Sequence, residues 1–373
     1  MGQRCCRPIQ FCFQPMKLLL PFAWLYAAVM ALRNRLFDTG CLKQRSFPLP
    51  IISVGNLAVG GTGKTPHTEY ILRLLTGCGY FCGMLSRGYG RTTRGFVEGS
   101  GSKASAIGDE PWQVQHACFA TRVCVCEDRC AGLDRMLQSG RRPDVVVLDD
   151  AYQHRYVKPG LSVLLTDYAS LYCDDDVLPA GRLRESASGA RRADVIVVTK
   201  CPPHLSQSEQ QDIKTRLQPE ERQHLFFSTM VYGNIYNVYP EAAPLTQGTN
   251  VDAPVAHLEK LHVLLVCGIA RPQAFIEHFQ SRCASVQTLT FADHHRFNNE
   301  ELLRMAHLAE QVDMVITTAK DAARLSDYDL PPVLRKKLCV QPIEVVFLNE
   351  DTPKFNQIII DYVTENTRDC AVD

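Results

Sequence analysis

The chain has 373 residues, of which 46% are hydrophobic and 21% are charged, and its 40 Lys and Arg residues balance 40 Asp and Glu residues. The composition is that of a folded protein, and the length exceeds what one ordinary core needs, so we expect two domains. The balanced charge argues against a protein that grips nucleic acid, and we expect no such partner. The 16 cysteines are scattered along apolar runs, which indicates reduced thiols in a cytosolic protein. The tightest group, Cys124, Cys126 and Cys130, has no second pair at zinc-ligand spacing.

An unbroken apolar stretch near the amino terminus covers residues 18–32 and is flanked by Lys17, Arg33 and Arg35. As a helix it would reach about 22 Å, against a hydrocarbon core of roughly 30 Å. A signal peptide and a buried core helix are alternatives. We favour a helix that lies on the membrane surface, because apolar residues with a basic flank suit anionic headgroups.

A glycine-rich loop follows the short β-branched run 50–54 and precedes an apolar helical pattern. Its glycines let backbone N–H groups surround a polyphosphate at the positive end of the new helix. The lysine would reach the β and γ phosphates, and the threonine hydroxyl would bind Mg²⁺. The sequence therefore predicts an ATP or GTP site, formed by Ala58, Val59, Gly60, Gly61, Thr62, Gly63, Lys64 and Thr65.

Polar residues follow three further apolar runs, as expected at the carboxyl ends of strands in a doubly wound sheet. Asp149 and Asp150 follow the run 144–148, and at least one of them is predicted to hold magnesium. An SRGYG turn follows residues 81–85, and Thr199-Lys200 follows the strand-like run 195–198. Between them lies 108-GDEPW-112, where the pattern alone leaves Asp109 equally suited to cap a helix or to act as a catalytic acid.

The pattern restarts beyond a stretch with Pro and Gly near 240–256. Strands are predicted at 263–267 and 314–317, and helices at 272–280 and 300–311, the second capped by Asn298 with Glu301 three residues on. The loop FADHHRF, residues 291–297, places Asp beside His. Such a loop indicates proton handling, and a satisfied surface histidine explains it equally well.

Seven motifs occur in one order: SVGNLAVGGTGKTP, LSRGYGR, GDEP, LDDAYQH, LPAGRLRE, FADHH and TTAKDA. Together they resemble the tetraacyldisaccharide 4'-kinase family, the lipid A kinases, from about residue 16 to about residue 350. The resemblance implies a transferase that moves the γ-phosphate of ATP to the 4'-hydroxyl of a tetraacylated disaccharide 1-phosphate, forming lipid IVA. It also implies the cytoplasmic face of a bacterial inner membrane as location, with the lipid and the membrane surface as partners.

The resemblance also implies roles for individual residues. Asp109 would be the catalytic base and His294 its partner in a dyad, because a carboxylate–imidazole pair can take the proton of a sugar hydroxyl. Asp149 and Asp150 match the acidic pair of the family, although Ala151 stands where a glycine is expected. The remaining residues implied to line the cleft are Glu110, which we assign to the metal, and Arg184 and Glu185, which we assign to the substrate.

The expected fold is α/β, a P-loop core with a parallel sheet flanked by helices, a smaller carboxy-terminal α/β domain and an amino-terminal membrane-surface helix. We place the membrane segment at 1–40, the core at 41–235, a linker at 236–258 and the smaller domain at 259–373, and we expect a monomer. Asp109 and His294 would lie on different domains, so closure would complete the dyad and exclude water. The rival interpretations are a membrane-associated P-loop ATPase acting as a switch or assembly factor, and a kinase for a soluble sugar or nucleoside.

Overall fold

The computed structural model describes residues 19–239, 258–269, 272–293 and 295–369. The helices are α1 Leu20–Asp38, α2 Lys64–Gly77, α3 Ala104–Ile107, α4 Asp109–Ala117, α5 Arg129–Gln138, α6 Gln207–Leu217, α7 Gln273–Gln280, α8 Asn299–Glu310, α9 Ala319–Leu325, α10 Pro332–Lys337 and α11 Thr352–Asp369. The strands are β1 Ile51–Asn56, β2 Cys82–Ser86, β3 Val97–Glu98, β4 Arg122–Val125, β5 Val145–Asp149, β6 Leu161–Asp167, β7 Val195–Thr199, β8 His224–Tyr232, β9 Tyr236–Asn237, β10 His262–Cys267, β11 Ser285–Thr290, β12 Met314–Thr318, β13 Leu338–Gln341 and β14 Ile343–Phe347.

The larger sheet has nine strands in the order β14-β8-β7-β6-β1-β5-β2-β4-β3. The strands from β8 to β4 in this order run parallel, and the edge strands β3 and β14 pair antiparallel with their neighbours. β1, β2 and β5 are buried at every residue, which explains why they were visible as continuous apolar runs. The predicted α/β class with a parallel sheet flanked by helices is confirmed.

The smaller sheet has five strands in the order β11-β10-β12-β13-β9, of which β9 pairs antiparallel. Strands β10 and β12 and helices α7 and α8 lie where the sequence predicts them. The capping box of α8 is present, because the Asn298 side chain accepts from the backbone N–H of Glu301 and the Glu301 side chain accepts from that of Asn298.

The last strand and helix differ from the expected division at residue 259. β14 pairs with β8 in the larger sheet, and α11 packs on the same core through Phe355 and Ile359. The Tyr362 hydroxyl donates to the backbone oxygen of Ile51 at 3.1 Å, which fixes α11 against β1. Residues 343–369 therefore belong to the larger unit. Hydrophobic periodicity could not show this, because it identifies a strand without identifying the neighbour with which that strand pairs.

Helix α1 covers the apolar amino-terminal stretch and packs against the larger unit through Ala23 and Phe37, which are 2% and 4% exposed. Arg155 holds its carboxyl end, donating to the Asn34 backbone oxygen at 3.0 Å and to the Asp38 carboxylate at 2.7 Å. Across the described residues, no helix combines the length and the apolar character that crossing a bilayer requires.

Helix α4 lies between the two sheets. Trp112 shares a buried apolar cluster with Leu264 and Ala322 of the smaller unit. On its other side, Gln113 donates to the Glu69 carboxylate of α2 at 2.7 Å. The fold thus fixes the helix that begins at Asp109 from both units.

Candidate active site

The glycine loop connects β1 to α2 in a conformation that needs glycine at two positions. Gly60 has φ 114° and Gly63 has φ 83°, both in the left-handed region. A Cβ atom on Gly63 would also lie 2.5 Å from the Cε atom of Met230. The loop therefore turns tightly onto the amino end of α2, the arrangement predicted for a phosphate-binding loop.

Three side chains outside the loop hold its backbone and Thr62 in place: Thr199 and Lys200, which the sequence marked at a strand end, and Asn56, which it did not. The Thr199 hydroxyl donates to the backbone oxygen of Thr62 at 2.9 Å, and Lys200 donates to that of Gly61. Asn56 donates to the Thr62 hydroxyl at 2.9 Å. These contacts turn the carbonyl groups of the loop toward the protein. Turned in this way, the loop can direct N–H groups toward an anion.

Lys64 and Asp150 meet at the carboxyl ends of the central strands. The ammonium nitrogen of Lys64 lies 3.6 Å from a carboxylate oxygen of Asp150 and 3.4 Å from the Asn56 side-chain oxygen. Arg184 donates to the same Asp150 carboxylate at 3.0 Å. The Lys64 side chain is only 9% exposed, so its charge acts on this cleft rather than on bulk water.

Asp149 is fully buried beside these residues. One carboxylate oxygen accepts from the Thr68 hydroxyl at 3.2 Å, while the other, Oδ2, has no hydrogen-bond partner among the described residues. Burial, together with the negative charges of Glu110 and Asp150, raises the pKa of Asp149 to about 7. The pKa of Glu110 is also raised, by desolvation in the cleft and by Asp150 against the attraction of Lys64.

A divalent cation fits this donor set. The charges of Glu110 and Asp150 act on Asp149, the Oδ2 atom of Asp149 has no hydrogen-bond partner among the described residues, and oxygen ligands are those that Mg²⁺ prefers. Thr65, the second residue of α2, is 7% exposed and lies on the same turn as Lys64. The four residues to which the sequence assigned a metal role are Thr65, Glu110, Asp149 and Asp150.

Replacing Asp149 by asparagine is expected to stabilise the ligand-free protein at pH 8 while weakening the binding of a divalent cation. A carboxyl whose pKa is raised by folding stabilises the fold when protonated, and this contribution is lost as the pH rises through about 7. Asparagine does not ionise, so the variant keeps this stability at pH 8. Its melting temperature should rise by about 2–4 °C, the shift that ~1 kcal/mol in the free energy of unfolding produces. The difference should shrink when melting is measured at pH 5.

Asp321 provides the matched control, because it is equally buried but its carboxylate accepts from the backbone of Gly268 at 2.9 Å and from Thr318 at 2.7 Å. Asp321→Asn should lower the melting temperature at both pH values, since it disturbs satisfied hydrogen bonds. A destabilised Asp149→Asn protein at pH 8 would contradict the account of Asp149.

Asp109 is the first residue of α4, and the N-cap position belongs to Gly108, so the helix-cap interpretation of Asp109 is wrong. Its Oδ2 atom accepts from the Nε atom of Arg324 at 3.0 Å, an ion pair that joins the two units. The proposed dyad partner, His294, lies outside the described residues. Its neighbour Asp293 lies 3.9 Å from Arg324, so Asp293 and Asp109 are near the same guanidinium group.

Glu185 is 1% exposed and is enclosed by three donors. It accepts from Asn34 at 2.7 Å, from Arg192 at 2.8 Å and from Gln153 at 3.1 Å. Because Asn34 belongs to α1, these bonds fix α1 to the edge of the cleft. A direct contact of Glu185 with the substrate stays a prediction.

His154 of the LDDAYQH motif lies with Asp128 and Cys130 in a group whose ligand atoms are within 4.8 Å of one another. Burial, together with the positive charge of Arg129, lowers the pKa of His154 to about 4. A neutral imidazole can bind a metal, but the neighbouring guanidinium repels a cation, and we assign no metal to this group.

A parallel sheet, a glycine loop that opens a helix with Lys-Thr, and an acidic pair on the adjacent strand together define a P-loop nucleotide-binding enzyme. The model of the tetraacyldisaccharide-1-P 4'-kinase family matches residues 15–364. The chain belongs to this family and is a kinase, so the family predicted from the seven motifs is confirmed.

Individual relatives agree with this result. The chain is 44% identical to a tetraacyldisaccharide 4'-kinase of Bacteroides thetaiotaomicron, with 95% of each chain covered. It is 46% identical to one of Bacteroides fragilis, with 94% of each covered. Among solved structures, LpxK from Aquifex aeolicus in complex with ATP is similar with a TM-score of 0.70 and 28% identity, covering 93% of this chain and 98% of that one.

Proposed function

We propose that this chain transfers the γ-phosphate of ATP to the 4'-hydroxyl of a tetraacyldisaccharide 1-phosphate, a step of lipid A biosynthesis. The observation that carries the proposal is that Lys64 and Arg184 both pair with Asp150, and that Glu110, the neighbour of Asp109, interacts with the charges of Lys64 and Asp150. Separate motifs thus contribute Lys64, a cation for the phosphates, and Asp109, a carboxylate for the hydroxyl proton. Membership of the family indicates the acceptor substrate, a tetraacyldisaccharide 1-phosphate.

Residues 58–65 would bind the triphosphate of ATP through backbone N–H groups, with Lys64 at the β and γ phosphates. Mg²⁺, when bound, would neutralise charge that develops on the transferred phosphoryl group. Asp149, Asp150, Glu110 and Thr65 are the residues that would hold it. Because Asp149 must lose its proton to bind a cation and its pKa lies near 7, protons should compete with the metal below neutral pH.

Asp109 would accept the proton of the 4'-hydroxyl as the oxygen attacks phosphorus. It stands at the amino end of α4, a third exposed, and is followed directly by Glu110, which we propose as a metal ligand. His294, the next residue after Asp293, is proposed to assist it. Positioning and charge neutralisation would supply most of the acceleration, since phosphoryl transfer demands little covalent chemistry from the protein.

The apolar face of α1 would hold the enzyme at the membrane. Four of its large side chains are 57–67% exposed and follow one face at spacings of three and four residues: Phe22, Leu25, Val29 and Leu32. Tyr26 of the same helix donates to the backbone oxygen of Arg184 at 2.8 Å, so this face begins beside the cleft. A substrate with four acyl chains stays in the bilayer, and we propose that the enzyme meets it on the cytoplasmic face of the inner membrane, where ATP is available.

Leu25→Glu is expected to weaken binding to anionic phospholipid vesicles by about tenfold or more, because it loses the burial of one leucine and adds like charge. Vesicle sedimentation measures the effect. Leu303→Glu on α8 is the matched control, since Leu303 is 65% exposed where Leu25 is 67% exposed. Equal loss of binding in both variants would contradict a specific membrane face on α1.

The direct test of function is transfer of label from γ-labelled ATP to a tetraacylated disaccharide 1-phosphate in detergent micelles. We expect a labelled lipid whose formation depends on Mg²⁺. Hydrolysis of ATP without labelled lipid would overturn the proposal and would favour a P-loop ATPase that acts as a switch.

A further inference from the structure

We propose that Arg324 is a positioning residue for phosphate transfer, which orients Asp109 of the larger unit from its anchored place in the smaller unit. The inference rests on the proposed role of Asp109 as the base. It assigns a role to Arg324, a residue just after the TTAKDA motif for which the sequence predicted none. The observation behind it is one guanidinium group held among three carboxylates, those of Asp109, Asp293 and Asp321.

One end of the guanidinium is fixed within the smaller unit. Its Nη1 atom donates to the backbone oxygen of Gly268 at 3.2 Å and to Asp321 at 3.2 Å. Asp321 is fully buried and also accepts from the Gly268 backbone at 2.9 Å. Because the Arg324 side chain is only 9% exposed, its orientation is set by these partners rather than by solvent.

The other end faces the cleft. Nε donates to Asp109 Oδ2 at 3.0 Å, and Nη2 lies 3.9 Å from Asp293 Oδ1. Lys320 also lies 3.2 Å from that Asp293 oxygen. A planar guanidinium presents its donors at fixed angles, so the anchored end determines where Asp109 is held. Arg324 contacts the Oδ2 atom of Asp109, and we assign acceptance of the hydroxyl proton to the other carboxylate oxygen, Oδ1.

This arrangement predicts an effect on the chemical step rather than on nucleotide binding. The Asp109 side chain is 31% exposed, so the surrounding protein leaves it room to move. Without Arg324, its carboxylate could take other rotamers at the first position of α4. A base displaced by about 1 Å can cost roughly 10²-fold in rate, whereas the phosphate loop, held by Thr199 and Lys200, would be unaffected.

The test is a double-mutant cycle between Arg324→Gln and Asp109→Asn, with Arg324→Lys as the conservative variant. The measured quantities are kcat for lipid phosphorylation, KM for ATP and the melting temperature. We expect Arg324→Gln alone to lower kcat by about 10–100-fold with KM for ATP changed less than about twofold. In the Asp109→Asn background the same change should cost less than about twofold. Arg324→Lys should have a higher kcat than Arg324→Gln, because lysine keeps the positive charge although it lacks the planar, multiple donors of a guanidinium group.

Arg122→Gln is the matched control for folding, since Arg122 is also 9% exposed on its side chain and pairs with Glu98, and neither residue is assigned to the site. Its kcat should stay near that of the wild type. Unchanged kcat in Arg324→Gln, or an equal loss in both Asp109 backgrounds, would overturn the positioning role while the proposed function stands. Full activity of Asp109→Asn alone would instead overturn the base, a failure visible before Arg324 is considered.

Discussion

Replacing Asp109 by asparagine is expected to lower kcat for phosphorylation of the lipid by about 10²–10⁴-fold, the usual contribution of a positioned general base. Asparagine keeps the size of the side chain and can still accept from Arg324, so the ion-pair geometry changes little. It cannot take the proton of the 4'-hydroxyl. KM for ATP should stay close to its wild-type value, because the residues proposed to bind the nucleotide, 58–65, are unchanged.

Asp134 provides a control of the same kind. Its side chain is 31% exposed, as is that of Asp109, and it too is paired with an arginine, Arg45. Asp134→Asn should therefore retain full activity, which separates loss of the base from loss of an ion pair. An Asp109→Asn enzyme with undiminished kcat would show that the proton leaves by another route.

The fold was predictable wherever one element carried its own signal. Buried parallel strands were visible as apolar runs, and Asn298 and Glu301 marked the start of α8 through a local capping pattern. The membership of β14 and α11 in the larger unit was not visible. It depends on which strand pairs with β14 and on contacts such as that of Tyr362 with Ile51, 311 residues apart in the chain.

The residues of the candidate site were likewise predictable only where a local sequence pattern marks them. Lys64, Thr65, Asp149 and Asp150 were predictable, because a phosphate loop and an acidic strand end use fixed local spacings. Arg324 was not, since its meaning comes from Asp109, which lies 215 residues away. Glu185 was identified from its motif, and the structure adds that its oxygens bind α1 through Asn34. Local sequence spacing thus predicts residues that are proposed to contact a ligand, and it does not predict residues whose proposed role is to position another side chain.

Replacing Lys64 by methionine is expected to lower kcat/KM for ATP by about 10²–10³-fold, comparable to the loss of one preorganised charge-stabilising donor. Methionine keeps most of the stem, so the change removes a charge that is 9% exposed and lies 3.6 Å from Asp150. Lys64 also lowers the pKa of both Asp149 and Glu110, against their burial.

Without Lys64 those two pKa values should therefore rise, and the residual activity should require a higher pH and more Mg²⁺ than the wild type requires. The measurement is kcat/KM for ATP across pH 6–9 at several magnesium concentrations. Lys214→Met, on the exposed face of α6, should leave both the rate and the pH profile unchanged. If Lys64→Met lowered the rate without moving the pH profile, Lys64 would act on the phosphates alone and would have no part in setting the charge of the acidic cluster.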